Sequence, residues 1–189
     1  MSEFQVHTKE TAPTESADVL ANIEKALGFV PNLFGVFAES PAAVKAYLTF
    51  GQIFDESSFS RTERQVVNLT ASRLNECHYC MAAHSVFAGL QNVPAEVVEA
   101  IRNDQPIADS RLDALQTFTT AAVEKRGWLS GDDIAAFLAA GYTKAQILEV
   151  ILGISFKTLS NYTNHITDTP LDDAFASAAW APVKNRFAS

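Results

Sequence analysis

Apolar residues recur every three or four positions along most of this chain, with polar residues between them. That spacing is typical of α-helices that bury one face, whereas a half-buried β-strand alternates at every second residue. No segment has a convincing strand pattern. The pattern therefore predicts an all-α fold built as a bundle of several helices.

Capping residues indicate where the predicted helices begin. Ser60 and Glu63 have the spacing of a capping box, in which each side chain bonds to the backbone of the other residue, and they predict a helix from about 61 to 74. The other predicted segments are a helix capped by Ser16 and ended by Gly28, a short connection over 29–39, and helices that start at Ser40-Pro41, Asn75, Asn92-Val93-Pro94, Ser110, Ser130 and Thr143.

The helix predicted after Thr143 is the longest and reaches Tyr162 or beyond. Its apolar surface is wide enough to serve a core and a subunit contact together. The residues expected to be buried on it are Ile147, Val150, Ile151, Ile154 and Leu159, and those on the helix after Ser40 are Val44, Tyr47, Leu48 and Ile53.

Composition narrows the class of protein. Of the 189 residues, 48% are hydrophobic, which suits one domain over 1–189 with a polar N-terminal arm over 1–15. The N-terminal segment lacks the features of a secretory signal, and no apolar run approaches the roughly 20 residues that cross a bilayer, so we expect a cytoplasmic protein without membrane contact. The net charge of -8 repels phosphate backbones, so no nucleic-acid partner is expected.

The only two cysteines, Cys77 and Cys80, form a Cys-x-x-Cys pair, and His84 follows one turn later. Residues at i, i+3 and i+7 share one helix face, and the His84 imidazole can reach back towards the Cys80 sulfur. The pair therefore has the spacing of a nucleophile and its base. The helix start favours a thiolate, most strongly at Cys77.

Two neighbouring thiols suit redox chemistry with a peroxide. A thiolate attacks the O–O bond to give a sulfenic acid, and a second thiol condenses with it to form a disulfide. A histidine that titrates near neutrality, here His84, can relay the proton that the departing oxygen needs. A disulfide closing so short a loop would add little stability, so a structural role explains the pair poorly.

Other uses of these residues stay open at this point. A closed zinc site needs four ligands, and only His84, His78 or the distant His165 could complete one with the two thiols. Haem attachment is excluded, because Met81 stands where that motif needs histidine. His78 is expected at the surface, the role of His165 is open, and the aromatic residues Tyr79 and Phe87 fit a core or a pocket.

The run from Cys77 through Cys80 to His84, after the helix from Arg61, resembles the carboxymuconolactone decarboxylase and alkylhydroperoxidase D superfamily. The segments Gly28-Phe29-Val30-Pro31-Asn32-Leu33-Phe34, Ser40-Pro41 and Arg73-Leu74-Asn75 resemble its peroxidase-related subgroup. The resemblance implies an all-helical alkylhydroperoxidase D-like fold, assembly into trimers or hexamers, and reduction of hydrogen peroxide or organic hydroperoxides without a bound cofactor or metal. It also implies that Cys80 is the peroxidatic thiol, that Cys77 is the resolving and more exposed thiol, and that His84 belongs to a proton relay.

One position departs from that pattern. The family's relay glutamate lies twelve residues before the first cysteine, and here this residue is Gln65, whose amide cannot carry a proton. Glu63 lies about 200° around the helix from Gln65 and is poorly placed to substitute. Gln65 is therefore expected to orient His84 or a water, with a cost in peroxidase rate.

Three functions follow as hypotheses. The first is a thiol-dependent peroxidase that takes a hydroperoxide as substrate and a thiol as reductant, working as a homo-oligomer. The second is a metal-binding or interaction protein on the same scaffold, prompted by Gln65. The third, decarboxylation of a lactone acid, is suggested only by the superfamily name, since that chemistry has no use for two neighbouring thiols.

Overall fold

A computed structural model describes residues 4–182 of the chain, and over that range the fold is all-α. The helices are α1 Thr14–Leu27, α2 Asn32–Phe37, α3 Pro41–Asp55, α4 Arg61–Leu74, α5 His78–Leu90, α6 Ala95–Arg102, α7 Ser110–Glu124, α8 Gly131–Ala139 and α9 Lys144–Thr167, followed by a 3₁₀ helix, Asp173–Ala178. The first three residues of the predicted N-terminal arm lie outside the described range.

Helix α4 lies at the centre of the bundle. It packs against α5, α6, α7 and α9, and every residue from 65 to 72 is buried. A helix surrounded in this way buries polar residues as well as apolar ones, so these polar groups need partners inside the protein. This central position brings residues of α4, α5 and α9 together at the site described below.

Capping boxes predicted from the sequence are present at three helix starts. They pair Ser60 with Glu63, Ser130 with Asp133, and Thr143 with Gln146. Ser40 accepts a hydrogen bond from the backbone of Ala43 ahead of α3, also as predicted, and the left-handed Gly28 ends α1. These caps are local, spanning three residues, which is why the sequence pattern located them.

Three other predicted caps are wrong. Ser16 lies inside α1, which starts after Pro13. Asp109, not Ser110, caps α7, because its carboxylate reaches two backbone amides of the first turn. Asn75 ends α4, and α5 is capped by the Cys77 sulfur instead. In addition, the predicted connection over 29–39 contains the short helix α2.

The predicted buried faces need two corrections. Ile53 on α3 is exposed, and its neighbour Phe54 is the buried residue at that turn. On α9, Val150 is buried as predicted and Ile147, Ile154 and Leu159 are partly buried, but Ile151 is exposed. The buried face of α9 is instead polar in its second half. The apolar spacing predicted the wrong buried residues on α9, because a stripe of polar residues on this helix is buried against α5.

No single helix within residues 4–182 is long and apolar enough to cross a bilayer. Helices α8 and α9 reach the required length and composition only when taken together, and they meet at an angle of 109°.

Candidate active site

Helix α5 places the two cysteines at its start. The chain leaves α4 through Glu76, whose positive φ of 53° turns the backbone. Cys77 then serves as the N-cap, and its Sγ accepts a hydrogen bond from the backbone N–H of Cys80 at 3.4 Å. Both cysteines are free thiols in this structure.

Both sulfurs are buried beneath α9. The exposed fraction is 0% for Cys77 and 1% for Cys80, so the expectation that Cys77 is the more exposed thiol is wrong. Asn164 covers them: its Nδ2 donates to Cys80 Sγ at 3.3 Å and to Cys77 Sγ at 3.6 Å. Ser160 Oγ lies 3.6 Å from Cys80 Sγ. The sulfurs are thus sealed from bulk solvent but lie in polar surroundings.

A buried lysine from α9 completes this environment. Lys157 is fully buried, and its Nζ lies 2.7 Å from His84 Nε2 and 5.1 Å from the centre of the Phe156 ring. Burial by itself lowers the pKa of Lys157, but attraction to the Cys80 sulfur outweighs it and raises that pKa. Lys157 is therefore a buried cation beside the Cys-x-x-Cys pair.

The two thiols have opposite acidities. Burial by itself raises the pKa of Cys80, but the Cys77 thiol, the Lys157 cation and hydrogen bonds from Ser160 and Asn161 outweigh it and lower that pKa to about 5. The hydrogen bond to Cys80, with burial, raises the pKa of Cys77. At neutral pH Cys80 is the thiolate and Cys77 the thiol. The sequence argument that the helix start makes Cys77 the more acidic thiol is wrong, because Lys157 and the α9 amides act on Cys80.

His84 bonds to Lys157 rather than to the Cys80 sulfur. Burial, together with the Lys157 cation, lowers the pKa of His84 well below its usual value, so the imidazole is neutral. An ammonium can only donate, so Lys157 donates to Nε2 and the imidazole proton lies on Nδ1. The prediction that His84 titrates near neutrality is wrong, because burial and the nearby Lys157 cation both disfavour the charged imidazole.

Gln65 on α4 lies where the sequence analysis expected it, next to His84. Its Oε1 accepts a hydrogen bond from His84 Nδ1 at 3.0 Å, and its Nε2 donates to Gln91 Oε1 at 3.0 Å. Glu63 does not replace it, because its carboxylate caps α4 and pairs with Arg111 at 2.6 Å. The hydrogen bonds thus run in one direction from Lys157 through His84 and Gln65 to Gln91.

A small cavity of about 40 Å³ opens beside Cys80. Its polar lining comes from Tyr47, Tyr79, His84 and Lys157, and the rest of its wall is apolar, with three phenylalanines among six residues. The remaining lining residues are Pro31, Leu33, Phe34, Ala83, Phe87 and Phe175. A single water molecule requires about 10–15 Å³ of cavity volume, so this cavity admits a molecule the size of hydrogen peroxide.

The C-terminal 3₁₀ helix covers this cavity with Phe175. Arg102 holds the segment in place: its guanidinium donates to the backbone oxygens of Ala178 and Ala179 at 3.1 and 3.0 Å, and Trp180 Nε1 donates to the Arg102 oxygen at 3.0 Å. The segment is therefore a cover over the reactive sulfur.

Comparison with known proteins relates part of the chain to a family and nearly all of it to a fold. Residues 41–124 match the carboxymuconolactone decarboxylase family. Two similar solved structures are an alkylhydroperoxidase core described as an uncharacterized peroxidase-related protein from Ralstonia eutropha JMP134, with a TM-score of 0.83 and 19% identity, and an uncharacterized peroxidase-related protein from Silicibacter sp. TM1040, with 0.80 and 17%. Together, these matches support a relationship of this chain to the carboxymuconolactone decarboxylase and alkylhydroperoxidase D-like superfamily.

The first of these alignments covers 96% of this chain and 98% of the other, and the second 92% and 93%. The debrominase Bmp8, solved with 2,3,4-tribromopyrrole, is also similar, with a TM-score of 0.76, 18% identity, and 94% and 97% covered. At these identities the likeness establishes the fold. No curated protein sequence matches the chain.

The histidines His78 and His165 lie away from the cavity. His78 is exposed, as predicted, with Nδ1 2.8 Å from the Trp180 oxygen. His165 is exposed in the last turn of α9. Within residues 4–182, no group of three His, Cys, Asp or Glu side chains is placed to hold a metal ion. Tyr79 and Phe87 line the cavity, one of the two uses considered for them.

The α9 side of the site was not predicted from the sequence. Lys157, Ser160, Asn161 and Asn164 occupy positions i, i+3, i+4 and i+7, so they form one polar stripe. A polar stripe on a helix whose other faces are largely apolar was a signal that this stripe is buried at a site rather than exposed to solvent.

Proposed function

We propose that this protein is a thiol-dependent peroxidase that reduces hydrogen peroxide or small organic hydroperoxides through Cys80 and Cys77. The observation that carries the proposal is the Cys80 sulfur at the wall of a small cavity, with the Cys77 sulfur held against the first turn of the same helix by the Cys80 backbone N–H. Cys80 lines that cavity, and Cys77 lies behind it. A nucleophile that faces substrate, with a second thiol behind it, is the arrangement that a dithiol and disulfide cycle needs.

The reaction has two steps. The Cys80 thiolate attacks one peroxide oxygen, so that an S–O bond forms, the O–O bond breaks, and the other oxygen leaves as an alcohol or water after taking a proton. The Cys77 thiol then displaces the hydroxyl of the Cys80 sulfenic acid, forming a disulfide and releasing water. A thiol reductant returns the disulfide to the dithiol, and no bound cofactor takes part.

Cavity size favours small substrates. About 40 Å³ suits hydrogen peroxide, whereas a bulky hydroperoxide requires the Phe175 cover to move. Movement of the same cover is required for a reductant to reach the buried disulfide. We therefore propose that regeneration by an external thiol is slower than oxidation by hydrogen peroxide.

The test is a single-turnover titration of the reduced protein. One equivalent of hydrogen peroxide is expected to consume both thiols and form the 77–80 disulfide, identified by mass spectrometry. Cys77→Ser is expected to stop at a Cys80 sulfenic acid that dimedone traps, and Cys80→Ser to be unreactive. Wild-type protein that keeps both thiols with excess peroxide contradicts the proposal.

Reductive dehalogenation is a second candidate. The aromatic wall of the cavity favours it, since aromatic side chains can hold an aromatic ring by stacking, and a similar fold belongs to a debrominase. The Cys80 thiolate would attack the halogen, the carbon would take a proton, and Cys77 would displace halide to form the same disulfide. The test is to measure bromide release from 2,3,4-tribromopyrrole by the reduced protein. A peroxidase that lacks dehalogenase activity releases no bromide.

We also propose that the protein assembles as a homo-oligomer and works in the reducing environment of the cytoplasm. Assembly is supported by a strip of apolar residues on α9 that is exposed on the surface of the single chain. Leu148 is 71% exposed, Ile166 68% and Tyr162 54%. A trimer or hexamer would cover such a strip, and light scattering of the purified protein measures which, if either, forms.

A further inference from the structure

Lys157 is a buried cation without a carboxylate partner. Its side chain is fully buried, and in residues 4–182 no aspartate or glutamate forms an ion pair with it. A buried ammonium is costly unless an anion compensates it. The Cys80 sulfur is the acidic group at the same cavity wall, so the thiolate is the counter-ion.

We propose that Lys157 is the catalytic acid of this site, giving its proton to the departing oxygen of the hydroperoxide at the moment when the Cys80 thiolate is consumed. This inference rests on the proposed peroxidase function and adds the residue that Gln65 leaves unassigned. Attack on the peroxide removes the negative charge from Cys80, so the Lys157 ammonium loses its counter-ion. Without that partner, burial turns it into a strong acid beside the new alkoxide or hydroxide.

The other groups at the cavity are poorer donors. The His84 nitrogen nearest Lys157 is its lone-pair side, because it accepts from the ammonium at 2.7 Å. Burial raises the pKa of Tyr47, and that of Tyr79 too, so both hydroxyls hold their protons. Cys77 must keep its proton until the disulfide forms. Lys157 is the acid that remains among the groups lining the cavity.

The protons that the reaction needs all come from Lys157 and Cys77, so none is taken from solvent. In the reduced state Cys77 is a thiol, Cys80 a thiolate and Lys157 an ammonium. Lys157 protonates the first departing oxygen, giving an alcohol or water and a neutral amine. Cys77 then attacks the sulfenic sulfur, and its proton leaves with the hydroxyl as water. The products are a disulfide and a neutral Lys157, and the later two-electron reduction by a thiol restores both the thiolate and the ammonium.

The groups that face Lys157 set the pH range of this chemistry. They are Cys77, Cys80 and His84 on α5, and Tyr47 on α3. His84 is neutral and Tyr47 keeps its proton, so the Cys80 and Lys157 pair is the only one here that changes charge during the reaction. Between the acid range where Cys80 is protonated and the alkaline range where Lys157 is not, the rate is expected to be independent of pH.

Proton stoichiometry of the wild-type protein tests the inference without any mutation. Reduced protein in weak buffer near neutral pH, with a pH indicator, receives one equivalent of hydrogen peroxide. Net proton uptake is expected to be zero per disulfide formed, and thiolate ultraviolet absorbance is expected beforehand. Uptake of one proton per disulfide means that Lys157 stays charged and overturns the inference, as does the absence of a thiolate. If the thiols do not react at all, the proposed function itself fails.

Two variants separate proton donation from charge. Lys157→Arg keeps the cation but cannot release a proton, so the thiolate absorbance should remain while the rate with hydrogen peroxide falls by about 10²-fold or more. Peracetic acid, whose departing acetate needs no proton, should react with this variant at close to the wild-type rate. Each disulfide formed with hydrogen peroxide should now take up one proton from solvent.

Lys157→Met is the second variant, because its side chain has a similar length and lacks charge, so it fits the buried site. The thiolate absorbance should disappear at neutral pH and return in alkali. In alkali, hydrogen peroxide should still react slowly and peracetic acid quickly. Equal losses with the two oxidants in both variants would show that Lys157 only shapes the site, and would overturn the inference.

Discussion

Gly153 on α9 lies where three helices meet, and its replacement by alanine is the sharpest test of how closely α9 approaches the core. A Cβ at this position would lie 2.7 Å from both Phe54 Cζ and Val67 Cγ1. Phe54 and Val67 are buried and belong to α3 and α4. Because both side chains are buried, they have little space to move into, so we expect Gly153→Ala to push α9 outwards.

Gly51 on α3 provides the matched control. It too is a glycine inside a helix, but its added Cβ would meet Phe156 at 3.5 and 3.6 Å, which is ordinary van der Waals contact. Replacing a helical glycine by alanine gains about 0.5–1 kcal/mol from the unfolded state and helix propensity. Gly51→Ala should therefore increase the free energy of unfolding by about 0.5 kcal/mol.

Gly153→Ala gains the same stability from helix propensity, but its added methyl group overfills the core. Overpacking costs about 1–3 kcal/mol, and the two short contacts argue for the upper half of that range, so a net loss of about 1–2 kcal/mol is expected. The two variants should thus differ by about 2 kcal/mol in the free energy of unfolding. Urea unfolding of reduced protein, followed by far-ultraviolet circular dichroism, measures that difference.

The same displacement reaches the site, since Lys157 lies one turn after Gly153. Moving the ammonium away from Cys80 should raise the thiolate pKa of Gly153→Ala and leave that of Gly51→Ala unchanged, as measured by thiolate absorbance against pH. If Gly153→Ala is as stable as Gly51→Ala, α9 does not lie as close to α3 and α4 as described, and the argument from contact distance is refuted.

Three further predictions concern the site itself. Thiolate absorbance of the reduced wild-type protein should be constant above about pH 6 and fall as the pH drops through the Cys80 pKa of about 5; a fall centred on the ordinary thiol range would contradict the assignment of the thiolate. Arg102→Ala removes two charged hydrogen bonds that hold the C-terminal cover, one partly buried and one exposed. Their loss favours local opening, so a bulky disulfide reagent should modify the thiols about tenfold faster or more. An unchanged rate would mean that Arg102 does not hold the cover. Gln65→Glu should raise the rate of peroxide consumption by up to about 10²-fold, because a carboxylate beside His84 can carry a proton. Gln65→Leu leaves the imidazole N–H unpaired and should not raise the rate. Equal rates for the two variants would contradict a proton-carrying role for a carboxylate at position 65.

Local sequence determined most of the helix framework. The capping boxes at Ser60, Ser130 and Thr143 are satisfied within three residues, so their spacing predicted the helix starts without knowledge of the fold. The Cys-x-x-Cys pair and His84 share one helix for the same reason. Even the contact between Gln65 and His84, on different helices, was anticipated through the family resemblance.

Tertiary structure decided the chemistry of the two thiols. A thiol's pKa depends on burial, nearby charge and hydrogen bonds, and for Cys80 the charge of Lys157 and the hydrogen bonds with Ser160 and Asn161 come from α9, about eighty residues along the chain. The helix-start argument acted only within α5 and so assigned the thiolate to the wrong cysteine. The packing of α9 over α5 is set by long-range contacts such as the close approach at Gly153, which no spacing along the sequence reveals.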